Sequence, residues 1–254
     1  MMTVSIEDKQ LISRAEDLLD MAQRQYTCKH SGFLSPHERI VLQRNLKAPR
    51  DIKTDYFGGY DEAERSVLLC YPDDFELSDF GIPPITALLI EGKDLERLNH
   101  RDYLGSLLGL GLKREKIGDI LSDGKQCYIF VLEEIAPYIL LNLSKIGSAG
   151  IQLKQISFDE VKVPEKKTQA IEGTVSSLRL DNVLSLALNT SRSKAVEYLR
   201  SGRVMLNWEP EENVSKTLKE GDMLSIRGFG RVKLTAVGGK TRKDRTHISL
   251  AKYV

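Results

Sequence analysis

Apolar residues recur at helical spacing near the start of the chain. Leu11, Ile12, Ala15, Leu18, Leu19 and Ala22 make one face of a helix. Ser5 and Asp8 stand three apart, the spacing of a capping box for its first turn. A second helix start lies at Ser35-Pro36-His37-Glu38. There Ser35 caps, Pro36 suits the first helical position, and Glu38 reaches back to the cap amide. Ile40 and Val41 open its buried side, and Pro49 bars continuation. From Ser66 the pattern changes. Ser66–Cys70 and Ile85–Ile90 are apolar runs of strand length bounded by turn residues. Asn99 caps a helix with Asp102 in its first turn and an apolar stripe of Tyr103, Leu104, Leu107 and Leu108. Gly118–Ser122 and Gln126–Val131, joined through Asp123-Gly124, read as a hairpin. A helix over Glu133–Ile146 and a strand over Ile151–Ile156 follow.

From Ile85 onward the order is βαββαβ, the split βαβ of a ferredoxin-like, RRM-like plait, with Ser66–Cys70 as an added strand. Asp159–Val175 is polar, with a proline and a charge run, and reads as a linker. Beyond it, Leu180, Val183, Leu184, Ala187 and Leu188 form the buried face of another helix. Thr190 or Ser191 caps the next, whose core residues are Ala195, Val196 and Leu199, and Gly202 ends it. Short strands follow: Val204–Leu206, one holding Leu224 and Ile226, one with Arg231, Lys233 and Thr235 on one face, and Thr246–Tyr253. The expected fold class is α+β. It comprises a helical segment over 1–60, a plait over 61–160, a linker over 161–173, and two helices on a small antiparallel sheet over 174–254.

Charge adds a partner to this picture. The 254-residue chain has a formal net charge of only +1, but residues 174–254 carry 15 Lys+Arg against 8 Asp+Glu. That leaves 22 and 28 in residues 1–173, so a basic end sits on an acidic body. This pattern points to a polyanion for the basic end. Arg192 and Lys194 occupy the first turn of a helix, where anions are favoured, at a cost of roughly 0.3–1 kcal/mol each. A hairpin through Gly228-Phe229-Gly230 brings Arg227 near Arg231 on one face, a second repulsive pair. A bound polyanion reverses the sign of both. Lys113, Arg114 and Lys116 form a smaller basic knot after the glycine-interrupted helix of Gly105, Gly109 and Gly111, and Lys240, Arg242 and Lys243 a basic loop.

Other chemistry is thin. Tyr128 and Phe130 share one side of a strand where RRM domains stack bases, but the basic-Gly-aromatic signature is missing, so packing is the favoured role. Cys28, Cys70 and Cys127 form no CxxC pair, and Cys28-Lys29-His30 reads as a helix end with an ordinary thiol. His30, His37, His100 and His247 have no metal spacing. Gly238-Gly239-Lys240-Thr241 is no phosphate loop, because Leu234 stands where the earlier glycine belongs. No metal or cofactor is expected. The N-terminus lacks a signal h-region and no apolar run reaches membrane-spanning length, so a soluble, cytoplasmic protein is expected.

LRLDNVL, SRSKAVEYLRSGRVMLN and SKTLKEGDMLSIRGFGR together resemble the S-four RNA-binding domain, named for the small-subunit ribosomal protein. The resemblance implies an RNA-binding face of two helices and an adjoining hairpin. By position it carries over to Arg179, Arg192, Ser193, Lys194, Arg200, Arg203, Arg227 and Arg231, with Asp181 as an organiser. From the charge pattern, Lys113, Arg114, Lys116, Lys240, Arg242 and Lys243 are expected as secondary RNA contacts. Trp208 and Glu209 depart from the pattern, because a small turn residue, commonly Gly, usually follows Asn207. The order of helical segment, plait with HRDYLGSLLGLGLKREKIGDIL, and S-four domain resembles the YlmH family over essentially the whole chain. That resemblance implies a non-catalytic, ribosome-associated factor with rRNA, tRNA and the large subunit as partners, and a monomer is expected. The resemblance also implies a role in handling stalled large subunits carrying peptidyl-tRNA. Two alternatives stand beside it: an RNA-modifying enzyme or accessory factor, and a protein adaptor docked on the ribosome. A pseudouridine synthase places its catalytic domain after the S-four domain, and no room for one is expected after Val254.

Overall fold

Both N-terminal capping boxes form. Ser5 Oγ accepts from Asp8 N at 3.0 Å and opens α1 (Ile6–Gln25). Ser35 Oγ accepts from Glu38 N at 3.3 Å ahead of α2 (Pro36–Asn45). The computed structural model describes residues 5–76, 79 and 84–253, so the first four residues of the N-terminal segment lie outside it. The helical segment also holds two strands that its pattern hides, β1 (Lys29–Leu34) and β2 (Ile52–Phe57). Lys29 and His30 thus enter a strand rather than a helix end. Both strands pair antiparallel with β3 (Ser66–Pro72) in the order β1-β3-β2. Ser66–Cys70 is therefore not an added strand of the plait. All seven residues of β3 are buried, so the strand needs partners at both edges and cover on both faces. Leu68 and Cys70 face α1 through Leu11, Ala15 and Leu19. Val67, Leu69 and Tyr71 point the other way.

The plait comprises β4 (Ile85–Gly92), α3 (His100–Gly109), β5 (Ile117–Ser122), β6 (Cys127–Leu132), α4 (Ala136–Asn142), β7 (Lys145–Ile146) and β8 (Ala149–Ile156). Its sheet order, β5-β6-β4-β8-β7 with antiparallel neighbours, is the one a split βαβ requires. The helix expected over Glu133–Ile146 is shorter, because Ile146 is fully buried in the two-residue strand β7 and Gly147 turns the chain at φ 55°. Leu88, Ile90, Ile129 and Val131 face the helices. Ala87, Leu89, Tyr128 and Phe130 face the side of β3 that carries Val67 and Leu69. Tyr128 and Phe130 are only 3% and 0% exposed, and Tyr60 stacks on Phe130 at 5.1 Å. The sheet face that an RRM offers to bases is here a core.

A polar clasp closes this core. Asp119 accepts from Tyr60 Oη and Glu64 N, both at 2.7 Å, and from Arg65 N at 3.2 Å. The Arg65 guanidinium donates to the carbonyls of Phe33 at 2.7 Å and Ile117 at 3.1 Å. Beside it, a Cβ at Gly118 would stand 2.5 Å from the Phe33 ring and 3.0 Å from Phe130 Cβ. Gly118→Ala is expected to destabilise this unit by about 1–3 kcal/mol through overpacking, read as a lower midpoint in urea unfolding.

The chain divides into two compact units, Met1–Pro164 and Glu165–Val254. The second contains β9 (Thr168–Val175), α5 (Leu180–Ala187), α6 (Arg192–Arg200), β10 (Val204–Leu206), β11 (Glu209–Pro210), β12 (Met223–Ile226), β13 (Gly230–Lys240) and β14 (Thr246–Tyr253). The sheet order is β11-β10-β12-β13-β14-β9. Residues 168–173, expected as linker, are thus an edge strand paired along β14. Polar composition hides β9, because only Val175 of its eight residues is buried. Both helices pack on one face of this sheet through Leu180, Val183, Leu184, Ala195 and Leu199. A Cβ at Gly173 would lie 2.5 Å from Leu186 Cδ1, so the glycine sets how closely α5 approaches the strand.

Candidate nucleic-acid interface

The two helices of the second unit owe their positions to backbone satisfaction and to one carboxylate. The loop before β12 supplies acceptors for the start of α5: Leu180 N donates to Lys216 O at 2.8 Å and Asp181 N to Val214 O at 3.3 Å. Asn189 at φ 47° turns the chain, and Ser191 Oγ caps α6 by accepting from Lys194 N at 3.3 Å. Gly202 at φ 65° follows its end.

Asp181, in the first turn of α5, is 1% exposed. It accepts from Arg192 Nε at 2.8 Å and lies 2.6 Å from Arg192 Nη2. Arg179 donates to both carboxylate oxygens at 3.3 Å, and Asn182 N donates at 2.9 Å. Burial pushes the Asp181 carboxyl up, but the bonds from the two arginines outweigh it and hold its pKa below the ordinary value. The organising position implied for Asp181 is therefore occupied as expected, and it resolves half of the electrostatic puzzle. Arg192 at the start of α6 is answered by an anion of the neighbouring helix. Lys194 is not: among the described residues Lys194, Arg200 and Arg227 make no ion pair. Ser193, Lys194 and Arg200 are exposed on α6.

The hairpin differs from expectation. Its register sets Ile226 opposite Gly230 and Ser225 opposite Arg231. Arg227 and Arg231 are thus no cross-strand pair. Arg227 N donates to Arg203 O at 2.9 Å, placing Arg227 and Arg203 at one end of the sheet. Arg203 also lies over the Tyr198 ring, 5.4 Å from its centroid. Val232 points into the core beneath the helices, so its neighbour Arg231 projects from the opposite sheet face. The structure gathers Arg179, Arg192, Ser193, Lys194 and Arg200 on the helices and sets Arg231 apart from them.

Arg231 has company that sequence spacing does not reveal. Its guanidinium lies over the rings of Trp208 at 5.6 Å and Tyr253 at 5.5 Å. Trp208 closes the turn between β10 and β11, where Asn207 and Trp208 have φ 49° and 69°. Such two-residue turns strongly prefer Asn-Gly. The departure after Asn207 is the available signal, and the turn closes despite it. A bulky residue there costs about 1–3 kcal/mol of strain.

The secondary cations divide similarly. Arg114 is turned inward to the carbonyls of Ile117 and Gly118, and burial first, then neighbouring Arg65, lowers its pKa to about 10. Lys116 pairs with Glu134, and Lys113 remains exposed. Lys240 pairs with Asp244 at 2.6 Å, while Arg242 and Lys243 are exposed in the turn after β13. Burial pushes the Cys70 thiol up to about 12 and raises Cys28 and Cys127, so none is an activated nucleophile. No helix among the described residues is long and apolar enough to cross a membrane.

Two helices on a small antiparallel sheet, with cations ordered around a buried carboxylate, define an RNA-binding module of the S-four class, and the model of that domain matches residues 178–224. Upstream, the models described as "YlmH, N-terminal" and "Putative RNA-binding domain in YlmH" match residues 7–75 and 77–160. The ribosome-associated protein quality control protein P2 of Bacillus subtilis (strain 168) is 33% identical over 253 residues, 97% of this chain and 95% of its own. The chain belongs to the YlmH family. The solved structure of cell division protein ylmH from Streptococcus pneumoniae is 22% identical with a TM-score of 0.51. The match covers 65% of this chain and 99% of that one, a likeness of fold.

Proposed function

We propose that this protein is a non-catalytic, monomeric factor that binds structured RNA of the ribosome in the cytoplasm. Its target is rRNA or tRNA on the large subunit, and its task is the handling of stalled large subunits that still carry peptidyl-tRNA. The observation that carries the reading is the Asp181 arrangement. A buried carboxylate fixes Arg179 and Arg192 while Lys194 and Arg200 stand exposed on the same helix pair. Guanidinium groups held in one orientation suit bidentate contact with phosphate oxygens. The name of the Bacillus subtilis relative, a ribosome-associated protein quality control protein, supports the cellular setting.

Sucrose-gradient sedimentation tests it. The protein is expected to run with large subunits at low salt and to leave them as salt rises, because phosphate contacts release counterions. Persistent absence from ribosomal fractions at low salt refutes the proposal.

A further inference from the structure

The sheet face opposite the helices carries a second set of side chains. Register places Met205, Ser225, Arg231 and Tyr253 in one row across β10, β12, β13 and β14, with Lys233 in the next row. All but Met205, which is 39% exposed, are half-buried. Trp208, in the turn between β10 and β11, lies with its ring under Arg231 of this row.

Three features of Trp208 ask for a use. Its backbone sits at positive φ, where glycine is relaxed. The residue is half-buried and not part of the core, so deep burial does not compensate the strain. The turn is nonetheless held rigid through Asn207: its N–H donates to Met223 O at 2.8 Å, its Nδ2 to Asp222 Oδ1 at 2.9 Å, and its Oδ1 accepts from Met223 N at 2.9 Å. The strained turn thus presents an indole at a fixed place beside Arg231, whose guanidinium also lies over the Tyr253 ring, with Lys233 on the same sheet face. Aromatic rings interleaved with cations are the chemistry that receives an unpaired nucleobase, the ring taking the base and the cation its phosphate.

We propose that Trp208, Arg231 and Tyr253 form a stacking platform for an unpaired RNA base, distinct from the phosphate-reading helices. This rests on the RNA-binding reading above but uses the other face of the domain.

The full chain contains its own reporter, because Trp208 is the single tryptophan. Titration with an oligouridylate of about ten nucleotides is expected to quench its emission at saturation. A blunt RNA duplex is expected to bind without that quench. Trp208→Gly relaxes the turn and is expected to retain its circular dichroism spectrum and its affinity for the duplex. Its affinity for the oligouridylate, read by anisotropy of a labelled strand, is expected to fall roughly tenfold, the scale of one base stack. Trp208→Phe, which restores a ring, is expected to recover most of that loss. Unchanged emission at saturating oligouridylate, or parental affinity in Trp208→Gly, overturns the platform. Parental RNA affinity together with lost ribosome association would assign the face to a protein partner instead. Failure of the helix-face reading has a different signature: duplex affinity then ignores changes at Lys194 and Arg200 while the quench persists.

Discussion

Lys194→Glu combined with Arg200→Glu is expected to weaken binding to structured RNA by roughly 100-fold or more. A hydrogen bond to a charged group contributes about 1.5–3 kcal/mol, and 100-fold corresponds to about 2.7 kcal/mol. Removing two such hydrogen bonds and setting two anions against phosphate exceeds that figure. Both side chains are exposed and make no ion pair among the described residues. The fold is therefore expected to move by no more than about 0.5 kcal/mol. Anisotropy over a salt series also reads mechanism, because the log–log salt slope should shrink by about two, one for each phosphate contact. Parental affinity with an unchanged slope would place the RNA elsewhere. Arg192 is the wrong residue for this test: reversing it sets a carboxylate against buried Asp181, mixing binding with stability.

Asp181→Ala is expected to cost the second unit about 2–4 kcal/mol of stability. It removes the acceptor of two guanidinium groups and of Asn182 N. The figure lies below that of a fully buried pair, because the Arg179 and Arg192 side chains keep 37% and 54% exposure. The pH dependence follows from the lowered carboxyl. A depressed folded-state pKa stabilises above the ordinary carboxylate value, near about 4, and that contribution disappears as pH falls through the folded value. Thermal unfolding of the parent should therefore lose midpoint on acidification below about pH 4. In Asp181→Ala the midpoint should start lower and lose less over the same window. An equal acid loss in both proteins would remove Asp181 from the account.

Local rules carry much of the fold. The capping residues Ser5, Ser35 and Asn99 start their helices where spacing puts them, since a cap is a contact of three residues. The plait follows from element order alone. What stays hidden is pairing. β1, β2 and β9 are strands because β3 and β14 lie beside them, and their own residues alternate poorly. The same limit divides the candidate site. Asp181, Arg179 and Arg192 are legible as a local motif, and they meet. Spacing alone groups Arg231 with Arg227, but its partner across the sheet depends on register, which sets Ser225 there. Trp208 shows in the sequence only as an odd turn residue, because its neighbour Arg231 lies far along the chain.

The burial of β3 on both faces has a consequence for how the first unit opens. One strand serves two cores, Leu68 and Cys70 in one and Val67, Leu69 and Tyr71 in the other. Neither core can come apart while the other keeps its strand. The backbone amides of residues 67–71 should therefore exchange with deuterium only through global unfolding of the unit, whereas the exposed ends of α1 exchange through local fraying. The N-terminal segment and the plait are one thermodynamic object, and the slowest-exchanging amides of that object mark the strand they share.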